Sequence, residues 1–259
     1  MLRQRLLAAV IVRDGRAVQS FGYTRYLPLG DVTCLVQNLD SWGADGIVVL
    51  DTDRGLAGPD FGLLKRLSAL KLSTPLTYGG GIRNAEHARQ AVQAGAERLV
   101  LDRALSESPD QLESIAAAVG RQALIGSIPL IRETNGEVSH WRYWKKKSQR
   151  LNEWMKSHQW QNHVSELLTI DVSAEGSQQG PDQGLWEELL ELGLPLLTFG
   201  GFSGSDQIKA VLQQPGVSAA VIGNALNYQE DRIRLYKDKL MPLPLRPHPD
   251  NHCYTSTKS

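Results

Sequence analysis

The stretch Pro75-Leu76-Thr77-Tyr78-Gly79-Gly80-Gly81-Ile82-Arg83 decides the fold of this chain, and a relaxed copy of it recurs from Pro195 to Ser203. Each copy is a short apolar run ending in an aromatic residue and glycines: Thr77-Tyr78-Gly79-Gly80-Gly81 in one, Thr198-Phe199-Gly200-Gly201-Phe202 in the other. The run has strand length, and the glycines permit a sharp turn that brings bare N–H groups close to a ligand. A polar cap and a helix are expected after each copy, Asn84 ahead of Ala85-Glu86-His87-Ala88 and Ser205 ahead of Asp206-Gln207-Ile208. Backbone N–H groups at a glycine turn that opens a helix form a ready anion site, suited above all to phosphate. Taken singly, either turn is equally well explained as plain strand-to-helix geometry.

The repeat reaches well beyond the glycines. Gly95-Ala96-Glu97-Arg98-Leu99-Val100-Leu101-Asp102-Arg103-Ala104-Leu105 aligns with Gly216-Val217-Ser218-Ala219-Ala220-Val221-Ile222-Gly223-Asn224-Ala225-Leu226. Upstream, Leu50-Asp51 with Gly58-Pro59-Asp60 aligns with Ile170-Asp171 and Gly180-Pro181-Asp182. A repeat spacing close to half the chain means two equivalent half-domains, not a solenoid of small units. Strand and helix alternate within each half. The economical assembly is therefore a single α/β domain, a (β/α)8 TIM barrel of two repeated half-barrels, at about residues 1–120 and 121–239.

Length and composition agree. The 259 residues match the roughly 250 typical of such a barrel, and 41% hydrophobic residues supply its core. Formal net charge is zero, which argues against a bulk nucleic-acid or membrane partner. Cys34 and Cys253 form no disulfide framework and no metal spacing. The apolar run at 6–12 is stopped by Arg13-Asp14-Gly15, too early for a signal segment, and no run approaches the roughly 20 apolar residues of a membrane span. A cytoplasmic protein is expected.

In chain order, residues 6–12 read as a strand buried on both faces. Arg13-Asp14-Gly15-Arg16 reads as a turn, 17–23 as a short strand or loop, and 28–31 as the lead into a helix at about 32–43. Strands are expected at 47–51, in the glycine stretch and at 99–101, with helices at 61–70, 85–94 and 109–119. The second half opens with a strand at 123–130, interrupted by Pro129, and continues with a helix at 151–160, a strand at 166–172 and a helix at 185–192. Residues 132–147 look unlike anything in the first half. There Asn135-Gly136 predicts a tight type I′ hairpin turn. Trp141, Tyr143 and Trp144 ahead of Lys145-Lys146-Lys147 read either as a platform for a sugar or base, or as a surface hairpin with its lysines in solvent. Residues 240–259 have no core pattern and read as a flexible C-terminal tail.

Arg5, the Arg13–Arg16 turn, Gly30-Asp31, Ala44-Asp45, Leu50-Asp51, residues 75–82 and the repeat together resemble the cyclase subunit of imidazole glycerol phosphate synthase, through about Ala225. In that family a HisH-like glutaminase subunit, held in a heterodimer, delivers ammonia through the barrel core. Ammonia and a phosphorylated ribulosyl nucleotide then give imidazole glycerol phosphate and an aminoimidazole nucleotide. The resemblance implies a glutaminase partner, a phosphorylated small-molecule ligand and no cofactor.

The family's acid/base pair stands at the ends of the first and fifth barrel strands. Here those positions are Ile11 and Pro129, neither able to transfer a proton, and the lysine usual after the first turn is Gln19. Asp51 and Asp171, at strand C-termini where barrels do chemistry, are the substitute candidates, or else simple loop caps. The resemblance places one phosphate site at Gly81, Asp102 and Arg103, and the other at Gly176, Gly201, Phe202, Gly223 and Asn224. Asp102 stands for a neutral amide and would repel phosphate unless Arg103 or a neighbour offsets it, and Phe202 stands where small residues are usual.

At the opposite end, Arg5, Arg98 and Glu166 match the charged ring around the ammonia entrance, read either as a gate or as a salt-bridge ring closing the barrel bottom. Its fourth member is Gly46, which implies a wider or differently closed gate. Tyr78, Pro59-Asp60-Phe61 and the non-acidic Ile11 look most like a subgroup that assists amidination of an acetamido sugar in surface-polysaccharide (lipopolysaccharide) synthesis, although even there the fifth-strand acid is usual. Three functions follow as expectations: an ammonia-receiving barrel of a glutamine-amidotransferase system outside histidine synthesis, a histidine-pathway cyclase using other acids, or a non-catalytic phosphate-binding barrel.

Overall fold

The computed structural model describes residues 3–156 and 160–245. In chain order it runs β1 (Arg5–Arg13), β2 (Arg16–Phe21), β3 (Arg25–Gly30), α1 (Val32–Ser41), β4 (Gly46–Asp51), α2 (Phe61–Ser68), β5 (Leu76–Gly79), α3 (Ala85–Gln93), β6 (Arg98–Leu101), α4 (Arg103–Glu107) and α5 (Pro109–Val119). The second half follows as β7 (Leu124–Arg132), β8 (Val138–Arg142), β9 (Lys147–Arg150), α6 (Leu151–Lys156), β10 (Glu166–Asp171), α7 (Glu187–Leu190), β11 (Leu196–Phe199), α8 (Ser205–Leu212), β12 (Val217–Ile222) and α9 (Arg232–Lys239).

Eight of these strands are parallel and pair in the closed order β1-β4-β5-β6-β7-β10-β11-β12, with β12 returning to β1. This is the expected (β/α)8 barrel. Side-chain alternation sorts the strand residues into two shells. Leu6, Ala8, Val10 and Val12 of β1 join the large core between barrel and helices. Leu7, Ala9 and Ile11 face the lumen with Val48, Leu50, Val100, Ile125, Leu168, Ile170, Leu197, Phe199 and Val221. The lumen is thus packed with aliphatic side chains, as in barrels generally.

Each half also carries an antiparallel excursion, β2–β3 after β1 and β8–β9 after β7. The segment at 132–147 therefore does have a first-half counterpart. Its sequence hides the relation because only the backbone plan is shared. The β7–β8 loop at 133–137 is longer than a two-residue turn: Glu133 N–H donates to Glu137 O, and only Gly136 has positive φ. A type I′ turn needs positive φ at both central residues, so that expectation is corrected. Pro28 lies in β3, which among the described residues pairs only with β2, and an edge strand is where proline is tolerated.

Three further expectations change. Helix α8 starts at Ser205 with Gly204 as its cap, and Gln207 Oε1 takes the Ser203 N–H instead. The helix expected at 185–192 shortens to Glu187–Leu190. Beyond residue 239 the chain still packs: Leu240 is fully buried, and Gln4 N–H donates to Pro244 O at 3.1 Å. The rest of the expected tail, with Cys253, lies outside the described residues. Among the described residues no helix is long and apolar enough to cross a membrane.

Candidate functional site

The register shows how the two halves superpose. Leu50 pairs with Gly79 and Ile170 with Phe199, so Gly79 and Phe199 occupy equivalent places, as do Tyr78 and Thr198. The two aromatics that look equivalent in sequence face opposite ways, Tyr78 toward the helices and Phe199 into the lumen. A one-residue slip on a strand reverses the face. The glycines that follow do coincide. A Cβ on Gly80 would meet the Asp51 carbonyl oxygen at 2.8 Å, and one on Gly200 the Asp171 carbonyl oxygen at 2.7 Å. Gly81 and Gly201, both at positive φ, lie as tightly against Gly58 and Gly180.

Asp51 and Asp171 lie on the helix-facing side of their strand ends, one position past the lumen residues Leu50 and Ile170. Asp171 accepts from the N–H groups of Ala174 and Asp182, each at 2.9 Å. In the first half Tyr78 is inserted into the matching link: its hydroxyl accepts from Asp60 N–H at 2.9 Å and donates to Asp51 Oδ2 at 3.2 Å. Tyr78 and Asp60 are thus one hydrogen-bonded unit fixing the loop after β4. Burial, and then the neighbouring Asp53, raise the Asp51 carboxyl to about 7.

At the level where the family carries its acid pair, Ile11 pairs with Leu50 and Pro129 with Ile170, so the two positions are equivalent and both are buried. The pairing of β7 to β6 ends at Gly126, which leaves Pro129 beyond the ladder on that flank. Above this apolar level the two excursions meet. Tyr23 of the β2–β3 turn packs against the lumen cluster and stands 5.0 Å, ring to ring, from Tyr143 of the β8–β9 turn. The β2–β3 turn is held down by buried Glu175, whose carboxylate accepts from Ser20 Oγ at 2.9 Å and from Tyr23 N–H at 3.3 Å. Burial raises the acid range of Glu175 and pushes both tyrosine hydroxyls well above theirs.

The second-half turn brings together all five residues expected there: Gly176, Gly201, Phe202, Gly223 and Asn224 line one narrow crevice with Glu175. Two details differ from expectation. Phe202 packs into the core between barrel and helices. Asn224 Nδ2 donates to Ser20 O at 2.7 Å, so β2 lies over the crevice. In the first half the expected residues do not converge as a phosphate cradle. Asp102 keeps a buried Oδ1 with no hydrogen-bond partner, and Arg103 turns away to Glu107 at 2.7 Å. Burial, then the charge of Glu107, raise the Asp102 carboxyl to about 7.

At the opposite end of the barrel Arg5, Arg98 and Glu166 come together. Glu166 takes Arg5 on one oxygen at 2.6 Å and Arg98 on the other. Arg98 also reaches Ser165 Oγ at 2.8 Å, and Arg5 reaches Ser218 Oγ at 3.0 Å. At Gly46 the ring is not open: Leu7 Cδ2 lies 2.9 Å from where a Cβ would stand, so an apolar side chain fills the missing member's place.

Tyr23, Glu175 and Glu107 escaped the sequence reading. For Tyr23 a signal existed, since Tyr23 and Tyr143 are separated by the same interval as Asp51 and Asp171. The segment at 141–147 is divided between roles, Tyr143 turning in to Tyr23 and Lys145 pairing with Glu107 at 2.6 Å, so it forms no single stacking platform. Among the described residues no cluster of His, Cys, Asp and Glu is arranged to hold a metal ion.

Comparison with known proteins follows the same lines. Residues 5–232 match the histidine biosynthesis protein family. The chain is 26% identical over 234 residues to the putative imidazole glycerol phosphate synthase subunit hisF2 of Vibrio vulnificus, covering 89% of this chain and 85% of that protein. It is 28% identical over 256 residues to imidazole glycerol phosphate synthase subunit HisF of an Exiguobacterium species, covering 95% of this chain and 97% of the relative. For the HisF subunit of a Synechococcus species the figures are 27% over 258 residues, 95% of this chain and 100% of the relative.

Proposed function

The chain belongs to the histidine biosynthesis protein family, and from that premise we propose that it is the barrel subunit of a glutamine-amidotransferase system acting outside histidine synthesis. In this reading a glutaminase docks on the face bearing Arg5, Arg98 and Glu166. Ammonia crosses the aliphatic lumen and leaves at the mouth for amidination of an acetamido sugar in surface-polysaccharide synthesis. There it displaces the amide oxygen after a nucleoside triphosphate has activated that oxygen by phosphorylation, so that the oxygen departs as phosphate.

The observation that carries the reading is the pair Ile11 and Pro129, equivalent in register and both without a titratable group. General acid–base work needs a side chain that gains and loses a proton within hydrogen-bond reach of the substrate. The strand-end carboxylates Asp51 and Asp171 are occupied in loop hydrogen bonds on the other face of the sheet. A neutral, small molecule such as ammonia needs no such group to pass an apolar lumen. The closed Arg5–Glu166–Arg98 cluster is then the element that must part, and the docked partner supplies the reason for it to do so.

The test is a reconstitution with a glutaminase subunit, amide-15N glutamine and, from the same source, the ATP-dependent enzyme that activates the acetamido group, offering both an acetamido sugar nucleotide and the ribulosyl nucleotide. Label in an acetamidino sugar supports the reading. Label in an imidazole product at ordinary turnover overturns it in favour of the histidine-pathway reaction, to which the names of the relatives point.

A further inference from the structure

A cavity of about 470 Å³ opens on the outer rim of the mouth, between the loop after β4, the turn after β5, α4 and the tip of the β8–β9 hairpin. Three cationic side chains, Arg83, Arg103 and Lys145, line it against one carboxylate, Glu107. Glu107 is already committed, to Arg103 at 2.7 Å and to Lys145 at 2.6 Å. Burial works against its charge, but the contacts from Lys145 and Arg103 hold the carboxyl down at about 2. It therefore stays ionised and positions two cations while cancelling only one positive charge, leaving an excess of two.

Two residues lining this cavity carry a buried hydrogen-bond donor without a partner. Arg83 spends one terminal nitrogen on Leu56 O at 2.7 Å, yet its Nε–H has no acceptor. Ser106, only 8% exposed, has an unpartnered Oγ. A buried donor left unpaired costs roughly 1–3 kcal/mol, and such a group at a cavity wall is accounted for by an acceptor that arrives with the ligand. A tetrahedral dianion supplies several acceptors and neutralises the excess charge, and charge-assisted bonds from arginine are the strong ones.

We propose that this rim cavity binds the phosphoryl dianion of a phosphorylated small molecule, separately from the glycine turns inside the mouth. The first half-barrel's anion affinity is thereby moved outward: Asp102, whose Oδ1 is buried and unpartnered, stays off the cavity wall, while Arg103 lines it. The cavity volume lies within the usual range for small-molecule sites.

The inference does not depend on the amidotransferase reading. Full-length protein is titrated calorimetrically with inorganic phosphate and with pyrophosphate at low ionic strength, with 31P NMR as a second readout. Arg83→Gln and Lys145→Gln should each weaken one binding event by roughly ten-fold or more, and Ser106→Ala by a few-fold. Asn224→Asp, at the inner crevice, should leave that event unchanged. Absence of any binding by the parent protein overturns the proposal. So does insensitivity to Arg83→Gln and Ser106→Ala together, or an equal loss in the exposed control Lys65→Gln, which would indicate diffuse surface charge.

Discussion

The ring of Tyr23 lies 5.0 Å from the ring of Tyr143 and is tilted 58° to it, joining two turns that occupy equivalent places in the two half-barrels. Tyr23 also packs against the lumen cluster that holds Ile11, so the two excursions act on each other and not only on their own halves. Both hydroxyls are buried without a hydrogen-bond partner.

That pairing gives the first prediction. Aromatic pairs contribute about 0.5–1.5 kcal/mol beyond their buried area. A Tyr23→Ala, Tyr143→Ala double-mutant cycle by urea unfolding should return a coupling of that size. Tyr143→Phe should be neutral or stabilising by about 1 kcal/mol, because it removes an unsatisfied buried hydroxyl. Strict additivity in the cycle would mean the rings do not meet in solution.

Asp102 should make stability depend on pH. Its folded pKa is raised from the usual 3.8 to about 7. A raised folded value means the contribution is fully present below about 4 and is lost as pH rises toward 7, where ionising the buried carboxyl costs on the order of 1–4 kcal/mol. Asp102→Asn should therefore be more stable than the parent at pH 8, with the advantage vanishing near pH 4. Asp51, raised to a similar value, adds a parallel slope that Asp102→Asn leaves in place. Unfolding midpoints across that range check the sign, and parallel curves for parent and variant would contradict it.

A buried ion pair ties the last helix to the first strand. Lys237 Nζ donates to Asp45 Oδ1 at 2.7 Å and to Gly43 O at 2.8 Å, while Asp45 Oδ2 accepts from Leu6 N–H at 2.8 Å. Removing one partner strands a charge in the interior, so Lys237→Met should cost about 3–5 kcal/mol. A loss under about 1 kcal/mol, measured by chemical unfolding, would show that water reaches Asp45.

The charged ring at the barrel bottom separates function from folding. Arg98→Glu sets a carboxylate against Glu166, yet leaves Arg5 to pair with it. Ammonia transfer from a docked glutaminase should fall by roughly ten-fold or more, while the melting temperature shifts by only a few degrees for about 1 kcal/mol. Equal loss of both would mark the ring as purely structural.

Cyclisation of the ribulosyl nucleotide with ammonium salt should be absent or very slow. Acid–base groups contribute about 10²–10⁴-fold, and Ile11 and Pro129 provide none. Ile11→Asp with Pro129→Asp should restore part of the rate only if the ligand still sits in register, since a misplacement of about 1 Å costs roughly 10²-fold. Formation of the aminoimidazole nucleotide at about 1 s⁻¹ or more by the parent chain would return the histidine-pathway reaction to first place.

The half-barrel repeat and most of the barrel strands were legible in the residues, because strand alternation and glycine turns are local: they depend on period and on backbone freedom within a few positions. The grouping of Gly176, Gly201, Phe202, Gly223 and Asn224 came from the family resemblance rather than from periodicity, and in the structure all five line one crevice.

Three matters were decided only in the assembled barrel. Whether Tyr78 or Gly79 is the partner of Phe199 depends on inter-strand register, and one position of slip reverses every side chain. Whether Arg103 answers Asp102 or Glu107 depends on where the β8–β9 hairpin sets down Lys145, more than thirty residues away in the chain. That Tyr23 meets Tyr143 is a contact between the two halves: the repeat spacing marks the two positions as equivalent, but only closure of the barrel brings the rings together. Residue type carries propensity and charge along the chain, but partnership across the barrel is fixed by closure, which brings distant loops over one lumen and leaves each side chain only the neighbours that arrive there.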